Sequence, residues 1–265
     1  MPELPDVETY KRYLDATSLR QKIENVDVED ARLLAGTTTR KLARALAHHR
    51  FERTHRHGKY LFAGLDSGQW LMMHFGLSGR LAYFKRTADT PPYTQVLIHF
   101  TNGSHLAYVE PRKLGRLALT DGPPQFVDRH RLGPDALTLG LREFLALADD
   151  RRGNIKSCLL DQHAIAGIGN VYGDEILFHA RLHPQRMVRG LSKRDLRLLH
   201  RKLQYVLRRA IAVRADPVAM PRTWLLPHRR KGGHCPRCKA QLRQATIGGR
   251  PSYYCPRCQS MAPRP

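Results

Sequence analysis

The sequence predicts a multidomain α+β protein: an antiparallel β-sandwich or barrel led by one helix, then a helical region, then a small hairpin bound by cysteines. Three observations carry this. Short β-prone runs fill the first half, helical spacing takes over after a proline- and glycine-rich stretch, and four of the five cysteines close the chain in two C-x2-C pairs. A length of 265 residues suits two domains of ordinary size, each with its own core.

The opening helix is read from Val7, Tyr10 and Leu14 at helical spacing behind Pro5, with Asp6 and Glu8 placed where acids suit the positive end of the helix dipole. Tyr60–Leu65, Trp70–Phe75, Arg80–Phe84, Gln95–Phe100 and Ser104–Val109 are β-prone, and Asn102-Gly103 signals a tight hairpin between the last two. Residues 121–140 read as a linker, since DGPPQFVDRHRLGPD concentrates proline, glycine and charge. Helical spacing then marks Leu141–Ala148, Ile155–Leu160, Asn170–Ala180 and Ser192–Val213. In the last of these, Leu196, Leu199, Leu203, Val206 and Leu207 share one face and arginines the other. The expected division is a β domain over 1–120, the linker, a helical domain over 141–213, a short basic loop over 214–232 and a cysteine hairpin over 233–265.

Charge narrows the partner. Lysine and arginine total 45 against 23 acids, a formal net charge of +22, which selects for polyanions and puts nucleic acid first. The excess is concentrated at the C-terminal end, where residues 201–265 hold fifteen bases and one acid, Asp216, so that end is expected to face the polyanion. With 42% hydrophobic residues the chain is a folding one rather than a basic tail. Its apolar runs fall far short of the roughly 20 residues that cross a bilayer, and it opens without a basic stretch followed by an apolar one, so no membrane span or secretory signal is expected and a reducing cytoplasm is.

Cys235, Cys238, Cys255 and Cys258 have the spacing C-x2-C-x16-C-x2-C, the pattern of a four-thiolate structural zinc site in which no position is left for a catalytic water. Two disulfides or an iron–sulfur centre are the competing readings, the first disfavoured by a reducing compartment. Arg237, Lys239, Arg243, Arg250 and Arg257 lie in or beside this hairpin, and Arg250, just past Gly248-Gly249 at its tip, is the preferred phosphate contact over a merely solvated basic face. Cys158, in an apolar helical run, reads as a small buried hydrophobe.

The start, MPELPDVE, is the most unusual segment. Removal of the methionine before Pro2 would leave a secondary amine, a nucleophile able to form an iminium ion with a sugar carbon, with Glu3 beside it; a plain proline-rich helix start is the alternative. Taken with HGKYL at His57–Leu61, HFGLSG at His74–Gly79, GIGNVYGDE at Gly167–Glu175 and the cysteine hairpin, in that order, the chain resembles the formamidopyrimidine-DNA glycosylase and endonuclease VIII family over nearly its whole length.

That resemblance implies a two-layered β-sandwich, a helix–two-turn–helix domain and a zinc finger. It implies a bifunctional DNA glycosylase and AP lyase of base excision repair, acting as a monomer on damaged double-stranded DNA. Pro2 would attack C1′ of the damaged nucleoside, Glu3 would protonate the sugar ring oxygen, Lys59 would serve as a further acid and phosphate contact, and β- then δ-elimination would cut the strand. Asn170, Lys156 and Arg250 match DNA-contacting positions, and Glu8 and Glu175 match acids near the active site. Leu77, Arg112 and Leu114 would fill the stack vacated by the extruded base. Two departures stand out: leucine replaces the commoner methionine and phenylalanine at the first and third of these positions, and the stretch from Arg214 to His234, with Pro217, Pro221 and Pro227, is too short for a full cap over the base, so 8-oxoguanine is expected to be a poorer substrate than formamidopyrimidines or oxidised pyrimidines. The remaining readings are a non-catalytic damaged-DNA-binding protein of the same fold and a zinc-ribbon RNA-binding factor.

Overall fold

A computed structural model describes residues 1–149 and 151–261; residues 262–265, the end of the expected hairpin domain, lie outside the described residues. The chain divides into two compact units, one of Met1–Pro2 with Asp6–Arg131, the other of Glu3–Pro5 with Leu132 onward.

The first unit is a two-layered antiparallel sandwich. One sheet has the order β1-β6-β7-β5, formed by Ile23–Val28, Thr94–Phe100, His105–Val109 and Arg80–Phe84; the other has the order β2-β3-β4-β8, formed by Phe51–His57, Tyr60–Leu65, Trp70–His74 and Arg116–Thr120. Their facing sides bury Ile23, Phe51, Leu61, Leu71, Phe75, Ile98, Phe100, Leu106 and Leu117, and helix α1 (Leu4–Thr17) adds Val7 and Leu14 to the same core. Helix α2 (Thr39–Leu46), capped by the Thr38 hydroxyl on the Lys41 amide, contributes Leu42 and Leu46. The hairpin expected at Asn102-Gly103 is present, with Gly103 at φ +77 and the Asn102 side chain accepting from the Ser104 amide.

Strands β1, β2 and β8, helix α2 and a helix over residues 123–129 were not among the expected elements. The three strands share a cause. Each lies at the edge of its sheet, where part of the side-chain row faces water, so polar residues such as those of FERTHRH mask the apolar pattern. The expected linker is likewise structured: α3 (Pro123–Arg129) begins on two prolines and buries Phe126, which packs against the rings of Tyr60, Phe62 and His130. The boundary between the units falls at residues 131–132, and Leu132–Gly140 already belongs to the helical unit.

The second unit is built on α4 (Leu141–Asp149), α5 (Ile155–Leu160), α6 (Asn170–Ala180) and α7 (Lys193–Ala212). Residues 161–169 turn the chain between α5 and α6. The long α7 starts at a capping box, where Ser192 accepts from the Asp195 amide and the Asp195 carboxylate accepts from that of Ser192, and it lays Leu196, Leu199, Leu203, Val206, Leu207 and Ala210 into a core shared with Ile176, Leu177 and Ala180 of α6. The basic stretch 214–232 is not a free loop, because Trp224 and Leu225 are buried to within 1% and Met220 to within 4%. Strands β9 (Arg243–Ile247) and β10 (Arg250–Tyr254) form the terminal hairpin, closed by Gly248 and Gly249 at φ +56 and +72 as a two-residue turn requires. Among the described residues no helix is long and apolar enough to cross a membrane.

Replacing Trp224 by alanine would leave a large void in the helical core and cost about 3–5 kcal/mol. Denaturant unfolding followed by helical circular dichroism should show that destabilisation, while fluorescence of Trp70, in the other unit, should report an unchanged sandwich.

Candidate active site and nucleic-acid interface

In the helical unit the central feature is the carboxylate of Glu3, only 1% exposed. Its Oε2 accepts from the backbone amides of Gly169 and Tyr172 at 2.9 and 3.1 Å, and its Oε1 from that of Val171 at 2.8 Å. These are orphan donors of the first turn of α6, which lacks a side-chain cap of its own from Gly169. Leu4 donates its amide to the Gly167 carbonyl at 3.1 Å, completing the attachment of the residues that follow Pro2. Glycine at 169 is needed for this approach, since a Cβ there would overlap the Glu3 carboxyl. In the Gly167–Asn170 turn the Gly169 amide is thus committed to Glu3 and that of Gly167 to Gln162 Oε1 at 2.9 Å, while the other two amides on Glu3, those of Val171 and Tyr172, belong to the first turn of α6.

Asn170, the first residue of α6, is half-buried and turned toward the terminal hairpin, its Nδ2 donating to the Pro251 carbonyl at 2.9 Å while Oδ1 is buried without a hydrogen-bond partner. A second N–H on Nδ2 is available to an anion. Arg250, beside Pro251, is exposed just past the two-glycine turn, so Asn170 and Arg250 are brought to one region by a single backbone contact.

Lys156 stands elsewhere than expected. Its side chain is 0% exposed and its Nζ is hydrogen-bonded to Asp174 Oδ1, so it presents no ammonium to a phosphate. Burial pushes its pKa below the usual lysine value, and the adjacent Asp174 opposes that shift. Asp174, itself 1% exposed, also accepts through Oδ2 from Arg229 Nε at 2.8 Å and from the Tyr253 amide at 3.0 Å. The Arg229 guanidinium lies 5.1 Å from the Tyr253 ring centre and donates to the Pro251 carbonyl at 3.2 Å. One buried carboxylate thus ties α5, α6, the 229 region and β10 together.

Glu175, expected among acids near the active site, is 0% exposed and serves a neighbouring purpose: Oε1 and Oε2 accept from the amides of Leu225 and Leu226 at 3.0 and 2.7 Å, and His179 Nε2 lies 3.1 Å away. Neither Asp174 nor Glu175 is distinguishable as structural in a sequence, because an acid in an apolar helix reads equally as catalytic.

The hairpin holds the metal-type site. Cys235, Cys238, Cys255 and Cys258 have sulfurs all within 4.8 Å of one another, with Cys235–Cys258 at 3.8 Å and Cys238–Cys255 at 3.4 Å. A tetrahedral ion with bonds of about 2.3 Å sets its sulfurs about 3.8 Å apart, so this donor set fits one structural metal. The backbone amide of Ala240 lowers the Cys238 thiol to about 7, whereas burial raises those of Cys255 and Cys258, and the Cys258 amide donates to Cys255 Sγ at 3.4 Å. The cluster is docked on the end of α6 by Arg237, which donates to the Phe178 carbonyl at 3.0 Å and stacks 4.1 Å from that ring's centre, and by Gln259, which bridges the Cys255 amide and the Leu182 carbonyl. Cys158 lies apart from it, half-buried, and burial raises its thiol pKa.

The sandwich unit carries the other expected residues. Pro2 is buried. Lys59, 7% exposed, follows Gly58 in the two-residue turn between β2 and β3, with Gly58 at φ +55. Arg56 braces that turn, donating to the Gly58 carbonyl at 3.2 Å and to Glu8 Oε2 at 2.9 Å. Glu8 is thereby a support for the Lys59 turn. His74 is held neutral, its pKa pushed down to about 4 by burial and by the positive charges of Lys59 and Arg116.

Leu77 and the pair Arg112 and Leu114 lie on two adjoining loops. Buried Glu110 joins them, its Oε1 accepting from Ser78 Oγ at 2.6 Å and from the Arg112 amide at 3.0 Å. Gly76, at φ +54, lets the first loop come so close that a Cβ would stand 2.6 Å from the Leu114 carbonyl carbon. Leu77 is half-buried, Arg112 exposed and Leu114 48% exposed, an apolar tip offered to solvent.

Glu3→Ala should leave three donors at the start of α6 without their acceptor and lower stability by about 1–3 kcal/mol. Thermal unfolding would register the change; an unaltered melting curve would deny the carboxylate its anchoring role.

Three known domain patterns match this chain consecutively: the formamidopyrimidine-DNA glycosylase N-terminal domain over residues 1–117, its H2TH domain over 132–221, and the zinc finger found in FPG and IleRS over 232–260. The chain is 34% identical to the formamidopyrimidine-DNA glycosylase of Pelotomaculum thermopropionicum over 275 residues, covering 98% of this chain and 100% of that one. Identity to the Synechococcus elongatus enzyme of the same name is also 34%, with 99% and 98% covered. Among solved structures it resembles Lactococcus lactis Fpg in complex with an abasic-site DNA, with a TM-score of 0.87, 26% identity and 97% and 99% coverage, and the same protein with a FAPY-dG-containing DNA, with a TM-score of 0.88 at the same identity and coverage. The three domains in order, the two-layered sandwich and the cysteine-bound hairpin together place it: the chain belongs to the formamidopyrimidine-DNA glycosylase family.

Proposed function

We propose that this protein is a DNA glycosylase with AP lyase activity that removes oxidised bases from double-stranded DNA in base excision repair, acting as a monomer. The observation that carries the reading is the Glu3 carboxylate seated on the amides of Gly169, Val171 and Tyr172, one peptide bond after Pro2. A residue so firmly held next to the chain start makes sense where that start must be positioned for chemistry.

Once the methionine is removed, the Pro2 nitrogen, with the pKa of an α-amine near 8, attacks C1′ as the C1′–N bond to the base breaks. The proton of the Pro2 N–H passes to the departing base, and the sugar ring opens as Glu3, in its protonated form, gives its proton to the ring oxygen. The product is an iminium ion between Pro2 and C1′. It acidifies the C2′ hydrogen; loss of that proton breaks the C3′–O bond, and a second elimination breaks the C5′–O bond. Lys59, beside neutral His74, serves as a further acid and phosphate ligand. Asn170 and Arg250 hold the phosphate backbone near the lesion, and Leu77, Arg112 and Leu114 fill the vacated stack, leucine acting as an apolar wedge. Lys156 acts through Asp174, as a positioning group for the hairpin rather than a contact. Zinc is the metal of the four cysteines, with a structural role only.

The pinned 214–232 segment supports the expected substrate order. Trp224 and Leu225 are committed to the core and Glu175 holds the Leu225 and Leu226 amides, so little chain remains to close over an extruded base. A panel of duplexes should show formamidopyrimidine and oxidised pyrimidines processed faster than 8-oxoguanine.

Borohydride added to the protein with an abasic-site duplex should yield a covalent adduct, and peptide mapping should place it on Pro2. An adduct on a lysine, or lesion binding with no adduct, would replace this mechanism with another nucleophile or with a binding-only protein. Metal analysis should find one zinc per chain, and its removal by a chelator should abolish lesion-specific binding, since the hairpin's small core of Phe178, Leu225 and Leu242 leaves the four thiolates as its main fastening.

A further inference from the structure

The face of α7 opposite its buried side carries an unusual charge pattern. Arg194, Arg197, Arg201 and Arg208 are exposed at helical spacing along one stripe with Tyr205, and Lys202 and Arg209 flank it. The one acid of the helix, Asp195, is turned inward, where it completes the capping box and pairs with Arg186. Among the described residues none of these six cations has an acidic partner, whereas four exposed arginines of the sandwich unit have one: Arg12 pairs with Glu8, Arg32 with Asp30, Arg50 with Asp66 and Arg86 with Asp89.

Such a stripe opposes helix stability. Like charges three and four residues apart repel, and Arg194 lies at the positive end of the helix dipole. A surface shaped for solubility alone would mix both signs. The stripe is also straight and long. From Arg194 to Arg209 the helix rises about 22 Å, close to the length of six phosphate steps of one strand at about 3.4 Å each. Guanidinium groups suit phosphate oxygens through paired donors, and Tyr205, with the Lys202 ammonium 5.4 Å from its ring centre, gives the middle of the stripe a stiff amphipathic support. The buried side of α7 packs on α6, and of the stripe Tyr205 reaches back to that helix, its ring centre 5.5 Å from that of His179.

We propose that the outer face of α7 is a second DNA-binding surface, which holds the phosphate backbone of an undamaged duplex segment independently of the lesion site. It binds without reading sequence, through charge and the regular spacing of a rigid duplex. Its use would be to keep the protein on DNA between lesions or to hold two segments at once.

The test uses the full-length, metal-loaded protein and the variant Arg197→Gln/Arg201→Gln/Arg208→Gln, with Arg201→Gln alone as the milder change. The logarithmic salt dependence of binding to undamaged duplex should become shallower by about 2–3 in the triple variant and by about 0.9 in the single one, one increment for each phosphate that is no longer neutralised. Wild-type protein bound to an immobilised abasic-site duplex should capture a second labelled duplex, and the triple variant should not. Borohydride trapping at saturating protein should be equal in both, so a failure of lesion chemistry and a failure of this surface give different results. Unchanged salt dependence with equal capture of the second duplex overturns the proposal. Displacement of that duplex by single-stranded RNA or polyglutamate as readily as by duplex DNA overturns the assignment to DNA.

Discussion

Three backbone amides and one carboxylate set the conditions for the rest of the helical unit. The first turn of any helix presents N–H groups that its own carbonyls cannot satisfy, and here the acceptor is Glu3, a residue more than a hundred and sixty positions earlier in the chain. The consequence runs both ways. Helix α6 gains a cap that Gly169 cannot supply, and residues Glu3–Pro5 are held within the unit that carries Asn170 and the hairpin. Gly169 and Gly167 belong to the same constraint, since side chains there would collide with Glu3 and Leu4.

Two successive buried acids of α6 divide the next task. Asp174 faces Lys156, Arg229 and the Tyr253 amide, and so sets where the hairpin lies; Glu175 faces the Leu225 and Leu226 amides, and so sets where the preceding segment lies. Buried carboxylates without such partners would be costly, and with them they specify one arrangement. The hairpin's exposed Arg250 is consequently held by rigid neighbours on one side and by the cysteine cluster on the other. On the sandwich unit Glu110 has a comparable office, joining the two loops whose tips carry Leu77, Arg112 and Leu114.

Charge is handled differently on the two units. The sandwich spends its acids on neighbouring arginines, as in Arg32–Asp30 and Arg56–Glu8, while α7 leaves a row of cations facing water. Both units carry a share of the net charge of +22, the helical one the larger. Unbalanced charge on an ordered helix keeps its spacing, and a fixed spacing is what distinguishes a binding face from a basic tail.

The sequence by itself determined the class and order of the parts. Apolar alternation marked the inner strands, helical spacing marked α5 and α6 to the residue, and the C-x2-C pairs announced the metal-type hairpin, because each of these signals is local and repeats within a few residues. Three of the four edge strands, β1, β2 and β8, escaped since water on one side relaxes the pattern, and α3 escaped since its two prolines and flanking charges look like a linker. Only the tertiary structure decided what the polar residues do. Lys156 reads as a DNA contact until Asp174 is seen to enclose it, Glu175 reads equally as an acid near the active site or a structural one until two amides are found on it, and Glu3 gains its anchoring role from a turn far away in sequence. A buried charge takes its meaning from the partner that neutralises it, and partners brought together by folding leave no spacing in the chain for a reader to find.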